Sequence, residues 1–275
     1  MTGEAGRHRA KKSLGQNFLV DPNLQRKIVD AVGVEPRDEV VEIGPGQGAL
    51  TRHLAERAGR LVVVELDDAL AVSLEAEYGD RPHVKVVRGD ILQVELADHV
   101  PSMERLKVVG NIPYNITTPI VFHLLRRPRP QVIVLLVQEE VADRMVAPAG
   151  TGEYGALTVG VQSVARVEKL FRVGRKAFRP VPNVESAVVR LTPLAPPPLD
   201  PEAEARLRVL VRAAFQWRRK QLGKILRSHP DLELGPEVWT DVLERMEIVP
   251  ECRPERLTPA QFVELSLRLP IALGG

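Results

Sequence analysis

Hydrophobic residues in the first two-thirds of the chain come in short, nearly unbroken runs separated by polar turns. EVVEI (39–43), LVVVE (61–65), HVKVV (83–87), LKVV (106–109) and VIVLLV (132–137) each have the length of a strand. Runs without polar alternation are expected where both faces of a sheet are covered. Helix signals lie between them. Asp21-Pro22 predicts a helix over 22–31, a glycine turn leads to one at roughly 49–58, and Asp67 opens a third. Such alternation predicts a parallel, doubly wound α/β sheet. Two later strands are expected at 166–171 and 186–191.

The pattern changes after a proline-rich stretch at 193–201. Asp200-Pro201 starts a helix with Leu207, Leu210, Val211 and Ala214 on one face, Gly235-Pro236 opens another, and Thr258-Pro259-Ala260-Gln261 matches a capping box. No strand is expected beyond 195. The reading is therefore a catalytic α/β domain over 1–195 and a smaller all-helical domain over 197–275. Residues 1–12, with Arg7, His8, Arg9, Lys11 and Lys12, read as a mobile basic arm.

Composition narrows the picture modestly. The chain has 275 residues, long enough for two domains, and 44% are hydrophobic, enough for a core. Lys and Arg (38) barely outnumber Asp and Glu (36), so net charge does not decide the partner. A lone cysteine, Cys252, excludes a disulfide framework and a Cys-rich metal site. No apolar run approaches the ~20 residues needed to cross a bilayer. The N-terminus lacks the apolar core of a secretory signal, so a cytoplasmic protein is expected. No fixed-period repeat is present.

The candidate chemistry sits at four successive strand ends, where open α/β sheets bind ligands. The first carries an acid and a glycine turn, Glu42-Ile43-Gly44-Pro45-Gly46-Gln47-Gly48. Glycines there let the backbone approach a ligand at a helix start. A dinucleotide fingerprint needs GxGxxG, whereas the spacing here is GxGxG. Glu65 ends the second strand, placed to accept from ribose hydroxyls. Asp90 follows the third and suits an adenine amine, with Ile91 against the ring. Asn111-Ile112-Pro113-Tyr114 follows the fourth. There an amide acceptor, a fixed backbone and a flat aromatic face suit holding and stacking an amino-bearing base. Singly, these read as a nicotinamide-type site, a capping Asp and an Asn-Xaa-Pro turn. Together they fit an adenosine-bearing ligand beside an amine-holding site.

These pieces resemble the KsgA family of ribosomal RNA adenine dimethyltransferases. The resemblance rests on KKSLGQNFL (11–19), EIGPGQGALT (42–51), VELD (64–67), GDIL (89–92), NIPYNITTP (111–119) and FRPVPNVESAV (178–188), with FQWRRKQL and PERLTPAQF beyond, and covers nearly the whole chain. It implies a Rossmann-like sheet that binds S-adenosylmethionine (SAM), and N6,N6-dimethylation of two adjacent adenosines near the 3′ end of small-subunit rRNA. On matching positions, it places Asn17 and Leu19 over the cofactor, Gly44 and Gly46 at its methionine part, Glu65 at its ribose, and Asp90 and Ile91 at its adenine. Asn111, which also borders the cofactor, and the Pro113 backbone would accept from the target amine, with Tyr114 stacked on the base. Ile112 departs from the Leu frequent in small-subunit enzymes and matches the related large-subunit enzymes of macrolide resistance. The swap is nearly isosteric. No metal is required.

Basic clusters supply the expected RNA contacts: Arg126, Arg127 and Arg129; Arg172, Arg175, Lys176 and Arg179; and Arg218, Arg219, Lys220, Lys224 and Arg227. Any one of them reads as a solvated face; three in a balanced chain favour RNA. The expectation is a monomer acting on small-subunit rRNA in a pre-ribosomal particle. Its rivals are the same chemistry on large-subunit rRNA, a non-catalytic ribosome-assembly factor on the same fold, and a dinucleotide-dependent oxidoreductase.

Overall fold

The computed structural model describes residues 15–273, so the basic arm and Lys11 to Leu14 lie outside the described residues. Tertiary contacts divide the chain into two compact units. The first comprises 1–142 and 168–193, the second 143–167 and 194–275.

The first unit is built on a seven-stranded sheet. Its strands are β2 (Glu39–Ile43), β3 (Arg60–Glu65), β4 (Val84–Arg88), β5 (Leu106–Asn111), β6 (Val132–Gln138), β7 (Ala165–Val173) and β9 (Ser186–Pro193), in the order β4-β3-β2-β5-β6-β9-β7. The five strands β4-β3-β2-β5-β6 are parallel, as the apolar runs predict. The sheet is not parallel throughout: β9 lies antiparallel to β6, pairing Gln138 with Ser186. The central strands are buried along most of their length, whereas β4, at the edge, is partly exposed.

Helices α1 (Pro22–Val32), α2 (Thr51–Leu54), α3 (Asp68–Tyr78) and α4 (Thr117–Leu124) join these strands. Asp21 caps α1 by accepting from the N–H groups of Asn23 and Leu24, and Asp67 caps α3. The helix expected at 49–58 shrinks to α2, followed by turns. A Cβ on Gly59 would lie 2.3 Å from the Pro36 carbonyl oxygen, so the chain must tighten there to pass the 35–38 loop into β3. Two short strands that hydrophobic patterning does not reveal, β1 (Phe18–Leu19) and β8 (Phe178–Arg179), pair antiparallel. Leu19 and Phe178 both enter the core with Ile28, Val40, Leu61 and Val109.

The second unit is largely helical: α6 (Ala156–Gln162), α7 (Pro201–Gln216), α8 (Leu222–Ser228), α9 (Pro236–Arg245) and α10 (Pro259–Arg268), with the end of α5 (Glu139–Val146). Asp200 caps α7, and Thr258 with Gln261 forms the expected capping box on α10. The unit claims 143–167, which a boundary at 195–197 leaves with the sheet. The cause is aromatic packing: buried Tyr154 donates to the Leu257 carbonyl (2.6 Å) and meets Phe215, which in turn packs on Phe262.

Candidate functional site

All four candidate strand ends open onto one cavity of about 450 Å³ in the first unit. Its glycine turn has a specific backbone. Gly44, Gly46 and Gly48 have φ of 62°, 58° and 74°, the left-handed region that side chains disfavour. Gly46 is further constrained: a Cβ there would come 3.0 Å from the Phe18 ring, which β1 lays over the turn. Gly110 serves from the other side. A Cβ on it would approach the Ile43 carbonyl oxygen to 2.7 Å, so a glycine lets β5 pass the end of β2 and deliver Asn111.

Glu65 ends β3 as expected and is buried at the cavity wall. One carboxylate oxygen accepts from the Gly46 N–H (3.0 Å), the other from the Asp67 N–H (2.9 Å). Each oxygen keeps acceptor capacity beyond these bonds. Burial raises the Glu65 pKa, and the two backbone donors oppose that rise. Glu42, one strand earlier, is almost fully buried and accepts from Thr51 Oγ1 (2.7 Å). Desolvation pushes its pKa up to about 8, and the nearby Glu65 charge adds to the rise. Burial thus favours the protonated form of Glu42 near neutral pH. Asp90 uses one oxygen to cap the turn at Ile91–Gln93, accepting from the Leu92 N–H (3.0 Å), and Ile91 is buried beside it.

Asn111 Nδ2 donates to the Asn17 carbonyl at 2.8 Å. Donation fixes the amide, and Oδ1 is left without a partner among the described residues. Leu19 lines the same cavity and is anchored in the core. Tyr114 is half-buried, with its hydroxyl 2.6 Å from Ser186 Oγ on β9; burial raises its pKa. Pro113 requires a correction. Its carbonyl accepts from the Ile116 N–H (3.2 Å) and Thr117 Oγ1 (3.2 Å), so it is not a free acceptor for an amine. The neighbouring Ile112 carbonyl accepts no hydrogen bond among the described residues, and Ile112 lines the cavity. Sequence reasoning missed Phe18 and Ser186 as functional neighbours, and it gave Glu42 no role of its own. Phe18 and Ser186 belong to pairings between distant segments, whereas Glu42 was named as the acid before the glycine turn.

Of the twelve candidate RNA-contacting cations, seven show how far their engagement differs. Arg172 pairs with Glu139, and Arg175 with Glu185 (3.2 Å). Arg175 and Glu185 are each about half exposed, and an ion pair at such exposure is weak enough for a phosphate to displace, whereas Glu139 is 13% exposed and also pairs with Lys169 (2.8 Å). Arg218 pairs with Glu255 (3.6 Å) and donates to the Gly152 carbonyl (3.1 Å). Lys176, Arg219, Lys220 and Lys224 are exposed.

The mostly parallel sheet, the left-handed glycine turn, the acid ending β3 and the Asn-Ile-Pro-Tyr turn after β5 define the class: a Rossmann-like, SAM-dependent methyltransferase. Comparison with known proteins then narrows the class. The ribosomal RNA adenine dimethylase family model matches residues 7–265, and the chain belongs to that family. It is 42% identical to the ribosomal RNA small subunit methyltransferase A of Pseudomonas aeruginosa, covering 97% of each chain. It is 48% identical to the protein of that name from Chlorobium chlorochromatii, over 82% of this chain and 84% of that one. Among solved structures, a dimethyladenosine transferase from Plasmodium falciparum superposes with a TM-score of 0.76 at 27% identity, over 90% of this chain and 95% of that one. The 23S rRNA methyltransferase ErmE superposes with 0.69 at 32% identity, over 92% and 99%. Among the described residues no helix is long and apolar enough to cross a membrane, and no group of three or more His, Cys, Asp or Glu could hold a metal ion.

Proposed function

We propose that this protein transfers methyl groups from SAM to N6 of two adjacent adenosines near the 3′ end of small-subunit rRNA, acting as a cytoplasmic monomer on a pre-ribosomal particle. The observation that carries the reading is the Asn111 amide, whose nitrogen is committed to Asn17 and whose oxygen is left to accept. An adenine N6 lone pair is delocalised into the ring and is a poor nucleophile. Acceptors at Asn111 Oδ1 and the Ile112 carbonyl draw the amine hydrogens out of the ring plane and localise that pair. Tyr114 stacks on the extruded base and offsets part of its unstacking.

The cavity suits the cofactor on its own chemistry. Glu65 offers acceptor capacity to a ribose diol, Asp90 has a second oxygen for an adenine amine, and Gly44 and Gly46 leave room at the turn for a polar chain. Asn17, just before β1, and Leu19, in it, cover it, and Ile91 packs the adenine. Bound SAM supplies an already activated sulfonium methyl, so the protein contributes alignment and electrostatics. The helical unit, with Arg218, Arg219, Lys220 and Lys224, together with Arg172, Arg175 and Lys176 on the first, carries the RNA.

The rival target is large-subunit rRNA, favoured by Ile112 and the likeness to ErmE. The higher identity to proteins named small subunit methyltransferase A favours the small subunit. Incubating the protein with labelled SAM and each ribosomal subunit decides between them. Label in small-subunit rRNA supports the proposal, and label in the large subunit alone overturns it.

A further inference from the structure

The carboxyl end of α7 forms a second concavity, wholly within the helical unit. It holds about 340 Å³ and is lined by Gln216, Trp217, Arg218, Arg219, Lys220 and Lys224, with no carboxylate among them. Arg218 is committed to Glu255 and to the Gly152 carbonyl. The exposed side chains of Arg219, Lys220 and Lys224 make no ion pair with any described residue. Their positive field is therefore not neutralised within the fold.

Trp217 adds an aromatic surface held from behind. Its ring centroid lies 5.0 Å from that of His229 at a 59° tilt. His229 is 3% exposed and fixed by Gln216 Oε1 (2.9 Å) and the Asp231 N–H (3.2 Å). The loop after Trp217 turns back through a bond from the Lys220 N–H to the Trp217 carbonyl (2.7 Å), which gathers the cations around the ring. The indole N–H has no partner among the described residues, although a half-buried Trp usually finds one. A solvated helix face explains exposed cations; it does not explain a braced indole at their centre. An aromatic platform ringed by unpaired cations is how proteins hold single-stranded nucleic acid, with the base stacked and the phosphates neutralised. Duplex RNA keeps its bases in the stack and has none to offer.

We propose that Trp217, with Arg219, Lys220 and Lys224, seats one unpaired nucleotide of the RNA substrate, separate from the cleft that takes the target adenosine. This rests on the RNA-methylating reading and assigns to it a second nucleotide contact. A short single-stranded oligoribonucleotide and an RNA duplex of equal phosphate number serve as probes on the full chain. The single strand quenches tryptophan fluorescence in the wild type. Trp217→Phe, which leaves only the buried Trp239, abolishes the quench. Trp217→Leu weakens single-strand binding about tenfold, the lower part of the range for losing one stacked base, and leaves duplex binding unchanged. Trp217→Phe falls between, which separates lost stacking from a disturbed fold. Unquenched fluorescence at saturating oligonucleotide, or equal loss for single strand and duplex, overturns the seat. The two ideas fail separately: a wild type that methylates small subunits without quenching loses only the seat, and one that quenches without methylating loses the enzymatic reading.

Discussion

Asn111 and Asn17 lie 94 residues apart in sequence and meet through one hydrogen bond of 2.8 Å from side-chain amide to backbone carbonyl. The bond has a direction that matters. A primary amide presents one donor face and one acceptor face, and once the carbonyl takes the donor the acceptor is pinned. The segment that carries Asn17 is itself held by the β1–β8 pairing and by Gln25 Nε2, which donates to the Leu19 carbonyl (3.0 Å). The acceptor proposed for the target amine is thus positioned by a chain of contacts running through the core, which is how a site keeps the geometry that methyl transfer needs.

Tyr114 and Ser186 form a second long-range pair, and it alters what a simple ring substitution does. Ser186 is fully buried, so Tyr114→Phe keeps the stacking face but leaves a buried hydroxyl without its partner. A loss of about 1–3 kcal/mol in stability is expected from denaturant midpoints. The double variant Tyr114→Phe, Ser186→Ala recovers most of it, because both polar groups are then gone. A double variant as unstable as the sum of the singles contradicts the pairing.

Glu42 predicts a pH dependence with a definite sign. Its folded pKa of about 8 lies above the ordinary 4.5. Between these values the folded state keeps a proton that the unfolded state has released, so stability falls as pH rises through this window and levels off above it. Each unit of separation is worth about 1.4 kcal/mol. Glu42→Gln removes the titration and can still accept from Thr51. Melting curves of both proteins from pH 4.5 to 9 are expected to diverge in favour of the variant as pH rises. A gap independent of pH contradicts the neutral carboxyl.

Glu65→Ala removes the proposed ribose acceptor and also frees the N–H groups of Gly46 and Asp67. SAM affinity is expected to fall by about 1.5–3 kcal/mol in calorimetry, the scale of a hydrogen bond to a charged group. Part of the effect comes from the loosened glycine turn, so the ligand-free melting temperature drops as well. Unchanged affinity in a folded variant removes Glu65 from the ribose site.

The sheet was legible because its strands are apolar on both faces: β2 matches the 39–43 run end to end, and β3, β5 and β6 differ from theirs by a residue or two. The helix starts were legible where an Asp-Pro or Thr-Pro cap carries its own local chemistry, as at Asp21, Asp200 and Thr258. Residues 143–167 were not, because their allegiance depends on Tyr154 reaching Leu257, a contact that no local pattern announces. The same holds in the site. Gly44, Glu65, Asp90 and Asn111 stand at strand ends and could be found by counting from the strands. The orientation of Asn111, the Ser186 partner of Tyr114 and the occupied Pro113 carbonyl depend on side chains and turns that only the folded chain brings together.

The most direct test of the account is single-turnover methylation of small subunits at saturating SAM by the wild type and by Asn111→Ala, with the modified nucleotides mapped. The account predicts that the wild type converts two adjacent adenosines near the 3′ end to the N6,N6-dimethyl form. The variant binds the RNA normally and transfers methyl about 10- to 150-fold more slowly, the kinetic equivalent of one lost hydrogen bond to a group gaining charge. Methylation by the variant at the wild-type rate would contradict it, and the Asn-Ile-Pro-Tyr stretch would then be a structural turn.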